Sequence, residues 1–238
     1  VTLSVDNDVD AVMEKIKAFV DSYNAVMEKI STKLTEKRFR DFPPLTDEQK
    51  EAMRESDIEK WEEKARSGLL ANDSLLNGIY SNLRMVTASA ISGDGKYRTL
   101  SSLGIGTIAW YDQGRLHVDE EKLRKALTED LDGVIKLFTA TQERDGTDGI
   151  ATRLYKAIST GMQSITDKAG SSSSLVDQSF LGKQIDEIND RIDQMEDYLI
   201  RVEERYWAQF TAMEAALQRM QSQSDWIAAM MGSWYSSR

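Results

Sequence analysis

The chain of 238 residues has no cysteine, one histidine and two prolines. Without thiols there can be no disulfide, no thiolate nucleophile and no Cys-ligated zinc, and the redox compartment stays open. With His117 alone, neither a histidine metal cluster nor a Ser-His-Asp triad can be drawn within the chain. Positive charge is also short: 30 Lys and Arg against 40 Asp and Glu leave a net charge of -10. A polyanion partner is excluded on that ground, because phosphate contacts need clustered basic residues, so no nucleic acid is expected. Nor is there a stretch of the roughly 18 to 20 apolar residues that a membrane span needs, so no membrane insertion is expected. The N-terminus lacks the basic and apolar regions of a cleavable signal, so any export is expected to use another route, or a leader has been cut from the chain.

What is present is charge and helical periodicity. Charged residues make up 29% of the chain and the mean hydropathy is -0.48, the composition of a helix-rich protein with much solvated surface. From Leu181 to Met220 apolar residues recur in steps of three and four: Leu181, Ile185, Ile188, Ile192, Met195, Leu199, Val202, Tyr206, Phe210, Met213, Leu217 and Met220. This is the pattern of a coiled-coil seam, with one four-residue slip between Tyr206 and Phe210 that locally unwinds a left-handed supercoil. A second seam, Val9, Val12, Ile16, Phe19, Tyr23, Val26 and Ile30, runs to about Leu34. The fold class expected is mainly α: a long antiparallel coiled coil or helical bundle with a small β-hairpin insertion.

The seams are expected to meet, with Ile185, Ile188, Ile192, Met195, Leu199 and Val202 facing Val12, Ile16, Phe19, Tyr23 and Val26. At 1.5 Å per residue the last helix extends roughly 75 Å and the first only about 45 Å. Part of the long ridge must therefore find another partner. Phe210, Met213, Leu217, Met220, Trp226, Ile227 and Met230 form the candidate partner-binding set, because so much apolar surface so late in the chain needs a cover.

Ahead of the first seam, Val1–Val5 alternates as a short strand or as the end of a sheet whose remainder is absent. Pro43 and Pro44 break the first helix, and Thr46 with Gln49 offers a capping box for a charged helix to about Ser67, stopped by Gly68. Its charges alternate in sign three and four apart, as on a wet helix face. Asn72 or Asp73 caps a helix bearing Leu76, Ile79, Leu83, Val86 and Ala90. After Ser92 to Gly95, segments Thr107 to Tyr111 and Arg115 to Val118 flank Asp112, Gln113 and Gly114 as a hairpin. Asp119 caps a helix over Glu120 to Leu127; a shorter one carries Val134, Leu137 and Phe138, and another runs from about Gly149 to Lys168. Gly170 to Ser174 reads as a flexible linker, followed by the final helix from about Gln178 to Met231. The division expected is a strand stub at 1–8, a helical bundle at 9–95, the hairpin with short helices at 96–170, and the linker with the long helix at 171–238.

Motifs that could carry chemistry fail on context. Gly104, Gly106 and Ala109 match a loose dinucleotide fingerprint, yet a hairpin follows where a helix N-terminus should receive the pyrophosphate. Asp6, Asp8 and Asp10 open like a calcium loop, but Ala11 and Lys17 stand where the glycine and the bidentate glutamate belong. Glu203 and Glu204 fall on the wet face of the last helix, and His117 reads as a hairpin surface residue. No catalytic, cofactor-binding or metal-binding residue is expected, and no cofactor.

VTLSVDNDVDAVMEKIKAFVDSYNAVMEKI at the start resembles the opening of the C-terminal half of the flagellar filament cap family, flagellar hook-associated protein 2. LSSLGIG at Leu100 to Gly106, GRLHVDEEKLRKAL at Gly114 to Leu127 and GVIKLF at Gly133 to Phe138 resemble that family's central segments in the same order, and FTAMEAALQRMQSQSDWIAAMM resembles its terminal helix. The resemblance implies a homo-oligomeric ring at the distal tip of the bacterial flagellum, beneath which flagellin folds and polymerises and which prevents subunit loss. Flagellin, hook-filament junction proteins and a cytoplasmic export chaperone are the partners it implies, with secretion through the flagellar channel and a mechanical role, not an enzymatic one. Family members carry a further helical segment and a β-rich head that can serve adhesion, so a partial chain is expected. The alternative is a non-flagellar bacterial coiled-coil tether or signalling module.

Overall fold

Helix α1 (Val9–Thr35) begins where the Asp8 carboxylate accepts the Ala11 N–H at 2.9 Å, placing an acid at the positive end of the helix dipole. The computed structural model describes residues 8–92, 95–109, 112–141, 148–171 and 176–236, with side chains to 231. The expected Val1–Val5 strand, Gly93 and Asp94 of the expected turn, Trp110 and Tyr111 of the expected hairpin, and 172–174 of the expected linker lie outside the described residues. The chain divides into two compact units, Val1–Ile165 and Thr166–Arg238.

In the first unit α1 is followed by α2 (Asp47–Glu51), α3 (Glu55–Arg66), α4 (Ser74–Ala88), a 3-10 turn at Leu100–Leu103, β1 (Ile105–Gly106), β2 (His117–Val118), α5 (Glu120–Glu129) and α6 (Leu131–Thr139). Helix α7 (Ile150–Ala169) begins in this unit, and α8 (Phe180–Ser236) belongs to the second. Among the described residues the fold is mainly helical with one small antiparallel β pair, Ile105 opposite Val118 and Gly106 opposite His117.

Local chemistry sets the boundaries. Thr46 and Gln49 form the reciprocal capping box, while Asp73, Asp119 and Asp130 each accept a backbone N–H three residues on. The charged helix expected as one piece from Thr46 is two, α2 and α3, broken at 52–54. The first strand of the pair lies at Ile105–Gly106, and Thr107 to Ala109, the described part of the segment expected to form it, carry none. Burial explains the shift: Ile105 is fully enclosed, whereas Ile108 stands in solvent, and the Asp112 carboxylate takes the Ala109 N–H at 3.0 Å to turn the chain.

The core of the first unit packs α1 on α4 and α5, with α5 on α6. Met27, Leu83, Leu103, Ile105, Leu123 and Leu137 are fully buried in it. Met13, Ile16, Val20, Tyr23 and Met27 of α1 enter this core, displaced by one residue from the seam expected at three positions, and with Val12 and Phe19 packed at the margin the apolar face is wider than that seam. Apolar residues at neighbouring positions of each turn make a face of the width that a globular core uses, instead of a narrow coiled-coil edge. Of the set expected at a seam, Ile16 and Tyr23 are buried, Val12 and Phe19 pack at the margin of the core, and Val26 is exposed. Phe19 meets Phe138 edge-on at 5.6 Å.

The loop before β2 is latched onto the helices. Asn24 of α1 accepts the Leu116 N–H at 2.8 Å and donates to the Leu116 carbonyl at 2.9 Å. Ser31 donates to the Gln113 side chain at 2.6 Å, and the Tyr80 hydroxyl donates to the Gln113 carbonyl.

Candidate docking surface

Helix α8 is 57 residues long, which at 1.5 Å per residue is about 85 Å. Its start is built by two short-range bonds: the Asp177 carboxylate accepts the Ser179 N–H at 2.9 Å, and the Ser179 hydroxyl accepts the Gly182 N–H at 3.1 Å. The hydroxyl and N–H of Ser179 hold the Asp177 carboxyl below its usual range, so the cap stays ionised.

Along α8 the three-four ridge is laid out as the spacing demands, and its side chains face solvent. Ile185, Ile188, Ile192, Met195 and Leu199 are exposed, Ile192 by 48% and Met195 by 65%, and Val202 is half-buried. Phe210, Met213, Leu217, Met220, Trp226, Ile227 and Met230 are exposed in the same way. The ridge is strict and narrow, one residue at each three-four step, unlike the broad face of α1. Arg191 and Arg205 run along one flank, each one residue before a ridge position; Glu196, Glu203 and Glu214 run along the other, each one residue after. Such polarity sets the orientation of a partner helix.

Around the slip, Leu199, Val202, Glu203, Tyr206, Trp207, Gln209, Phe210 and Met213, all exposed except the half-buried Val202, line a shallow, wide-open trough along α8. Trp207 meets Phe210 edge-on at 6.3 Å and donates its indole N–H to Glu203 at 3.4 Å. Arg205 sits 5.6 Å from the centre of the Tyr206 ring. Trp207 was not among the expected docking residues; its signal is a second large aromatic directly after Tyr206, at the one point where two neighbouring ridges overlap.

Elsewhere the polar groups are engaged with one another. His117 lies 3.4 Å from Asp112. Glu120 and Glu14 raise the Lys17 ammonium above its usual range, and the backbone N–H and ammonium of Lys122 hold the Asp119 carboxyl low. Among the described residues no group of three or more His, Asp or Glu side chains could hold a metal ion, and no helix is long and apolar enough to cross a membrane.

The family model described as the C-terminus of flagellar hook-associated protein 2 matches residues 1–222. The chain belongs to the flagellar hook-associated protein 2 family. A relative of that name from Halalkalibacterium halodurans is 36% identical over 93% of the chain and 45% of its own length. One from Thermotoga maritima is 34% identical over 98% of the chain and 36% of its own length. The chain thus spans less than half the length of these relatives. The crystal structure of the flagellar cap protein FliD domains D1-D2-D3 from Escherichia coli is similar with a TM-score of 0.43 and 23% identity, over 70% of this chain and 36% of that one. Within the hook-associated protein 2 family, the match runs through α1 to α7 and into α8 as far as residue 222, so it takes in the trough and most of the exposed ridge.

Proposed function

We propose that this chain supplies the docking leg of a flagellar filament cap, a structural part and not an enzyme, acting at the distal tip of the filament after export. The observation that carries the reading is the exposed, strictly spaced ridge of α8 in a member of the hook-associated protein 2 family. A side chain of this kind gains roughly 1.5 to 3 kcal/mol when fully buried, so a dozen of them left in water are a strong demand for a cover. The half from Ile185 to Val202 has the regularity for a matching helix within the cap. The half from Phe210 to Met230, with the trough at its start, meets flagellin at the filament end, or an export chaperone before secretion. In the full-length protein the leg serves an oligomeric ring that docks on the filament end and retains flagellin as it folds.

Genetic replacement tests this. A strain lacking the gene sheds unpolymerised flagellin into the medium and does not swim. The full-length gene restores capping, whereas the same gene carrying Leu199→Asp and Met213→Asp restores export of the protein but not retention of flagellin. A double variant that is exported and caps as well as the parent refutes the assignment of α8. Normal swimming of the deletion strain refutes the cap itself.

A further inference from the structure

The segment between α1 and α4 leaves the bundle and returns to the point where it left. Asn72 donates its N–H to the Leu34 carbonyl at 3.0 Å, the Ser67 hydroxyl donates to the Lys37 carbonyl at 2.8 Å, and the Gly68 N–H reaches the Glu36 carboxylate at 3.1 Å. Gly68 has φ +69, and a Cβ there would lie 2.6 Å from the Arg38 backbone nitrogen, so the incoming and outgoing strands touch at this point. Only glycine allows both the left-handed conformation and the contact.

What lies beyond this neck has a small core of its own. Phe42 packs against Trp61 at 4.7 Å and Phe39 at 6.3 Å, the Trp61 indole N–H donates to the Pro43 carbonyl at 2.8 Å, and Lys64 sits 4.5 Å from the Phe42 ring centre. Lys50 and Arg66 both reach Glu62. By contrast, residues 36–72 place no side chain in the main hydrophobic core, and Ala65 is the one buried residue of α2 and α3. The principal helix packings of the unit involve neither α2 nor α3.

We infer that residues 38–67 form an accessory module, held at a closed neck by the Leu34–Asn72, Lys37–Ser67 and Glu36–Gly68 contacts, that opens and closes as a unit while the α1/α4/α5 core stays folded. Cooperative blocks of this kind open at a lower free energy than the core they are attached to, because few buried apolar contacts hold them. The Trp61 contacts are what make the module cooperative within itself. The neck is what decides where opening stops.

Native-state hydrogen exchange on the whole chain reads this directly. Amides of Ile58 to Arg66 exchange at least about 100-fold faster than those of Leu83 to Thr87. Trp61→Ala speeds the first group by a further factor of about ten or more and leaves the second unchanged. A parent chain in which the two groups exchange within about threefold of each other, or a Trp61→Ala chain in which both accelerate together, overturns the inference. A second variant removes Arg38 to Ser67 and joins Lys37 to Gly68. It keeps the cooperative melt of the core within about 5 °C of the parent, and a folded variant that melts more than about 15 °C lower counts against independence.

Discussion

Replacing Asn24 by alanine removes both hydrogen bonds that hold Leu116, a residue 5% exposed, against α1. Each buried backbone group left without a partner costs roughly 1 to 3 kcal/mol. Two such groups, partly reachable by water because Asn24 is itself half-buried, give a loss of roughly 3 to 4 kcal/mol. Alanine returns about 0.5 kcal/mol through its better helix propensity, so the net loss is about 3 kcal/mol. For a domain of this size that lowers the melting midpoint by about 6 to 12 °C. The readout is near-ultraviolet circular dichroism, to which the enclosed rings of Tyr23 and Tyr97 contribute in the first unit, while the exposed aromatics of α8 give little signal. Asn24→Asp keeps an acceptor for the Leu116 N–H but sets a carboxylate against its carbonyl, so it melts no higher than the alanine variant. Asp21→Ala, at an exposed site on the same helix, stays within about 2 °C of the parent. A drop of less than about 2 °C for Asn24→Ala would refute the latch, because it would mean that Leu116 keeps its place without α1.

Two further predictions use the caps and pairs. Gly104 has φ +78, and a Cβ there would lie 2.8 Å from the Lys122 Cβ and 3.0 Å from that of Asp119. Gly104→Ala therefore costs at least about 2 kcal/mol in urea unfolding, whereas Gly106→Ala, where a Cβ meets nothing within 4 Å, costs under about 1 kcal/mol. The Glu129 carboxyl is held below the usual glutamate range by hydrogen bonding to Lys96, by its charge and by the Tyr97 hydroxyl. A carboxyl lowered in the folded state contributes stability that is present above its unfolded value and is lost as pH falls through the folded value. The melting midpoint of the parent thus declines on acidification below about pH 4, and Glu129→Gln melts lower near neutral pH with a shallower acid decline. Equal acid slopes in the two proteins would show that the pair is not what the folded state protects.

Where the sequence could be read, the reason is local. Thr46 with Gln49, Asp73 and Asp119 sit at the helix starts they signal, because a cap depends on three or four adjacent residues and on nothing distant. The stripe of α1 was harder. Val12 and Met13, and Phe19 and Val20, are neighbours with equal claims to a ridge, and the choice between them is made by α4 and α5, which lie far along the chain. The same holds for β1: Thr107 to Tyr111 is the more strand-like stretch, yet pairing occurs where Ile105 can bury and where the latch on Gln113 and Leu116 brings β2. The three-four spacing along α8 was legible, since it is intrinsic to the helix, although Trp207 beside it was not. The cover of that ridge was not, because a partner's identity resides in the partner's own side chains.

The slip between Tyr206 and Phe210 has a geometric outcome for anything that wraps α8. Over seven residues the apolar line slews around the helix by about 20° in one sense, and over the eleven from Leu199 to Phe210 by about 20° in the other. A strap wound to follow the first stretch runs off the line at the second unless it straightens there. Trp207 broadens the landing at that same bend. The three-four alternation is the same on either side of the slip, so one rod offers two berths of like pitch turned relative to one another about its axis, and a molecule fitted to one need not compete for the other.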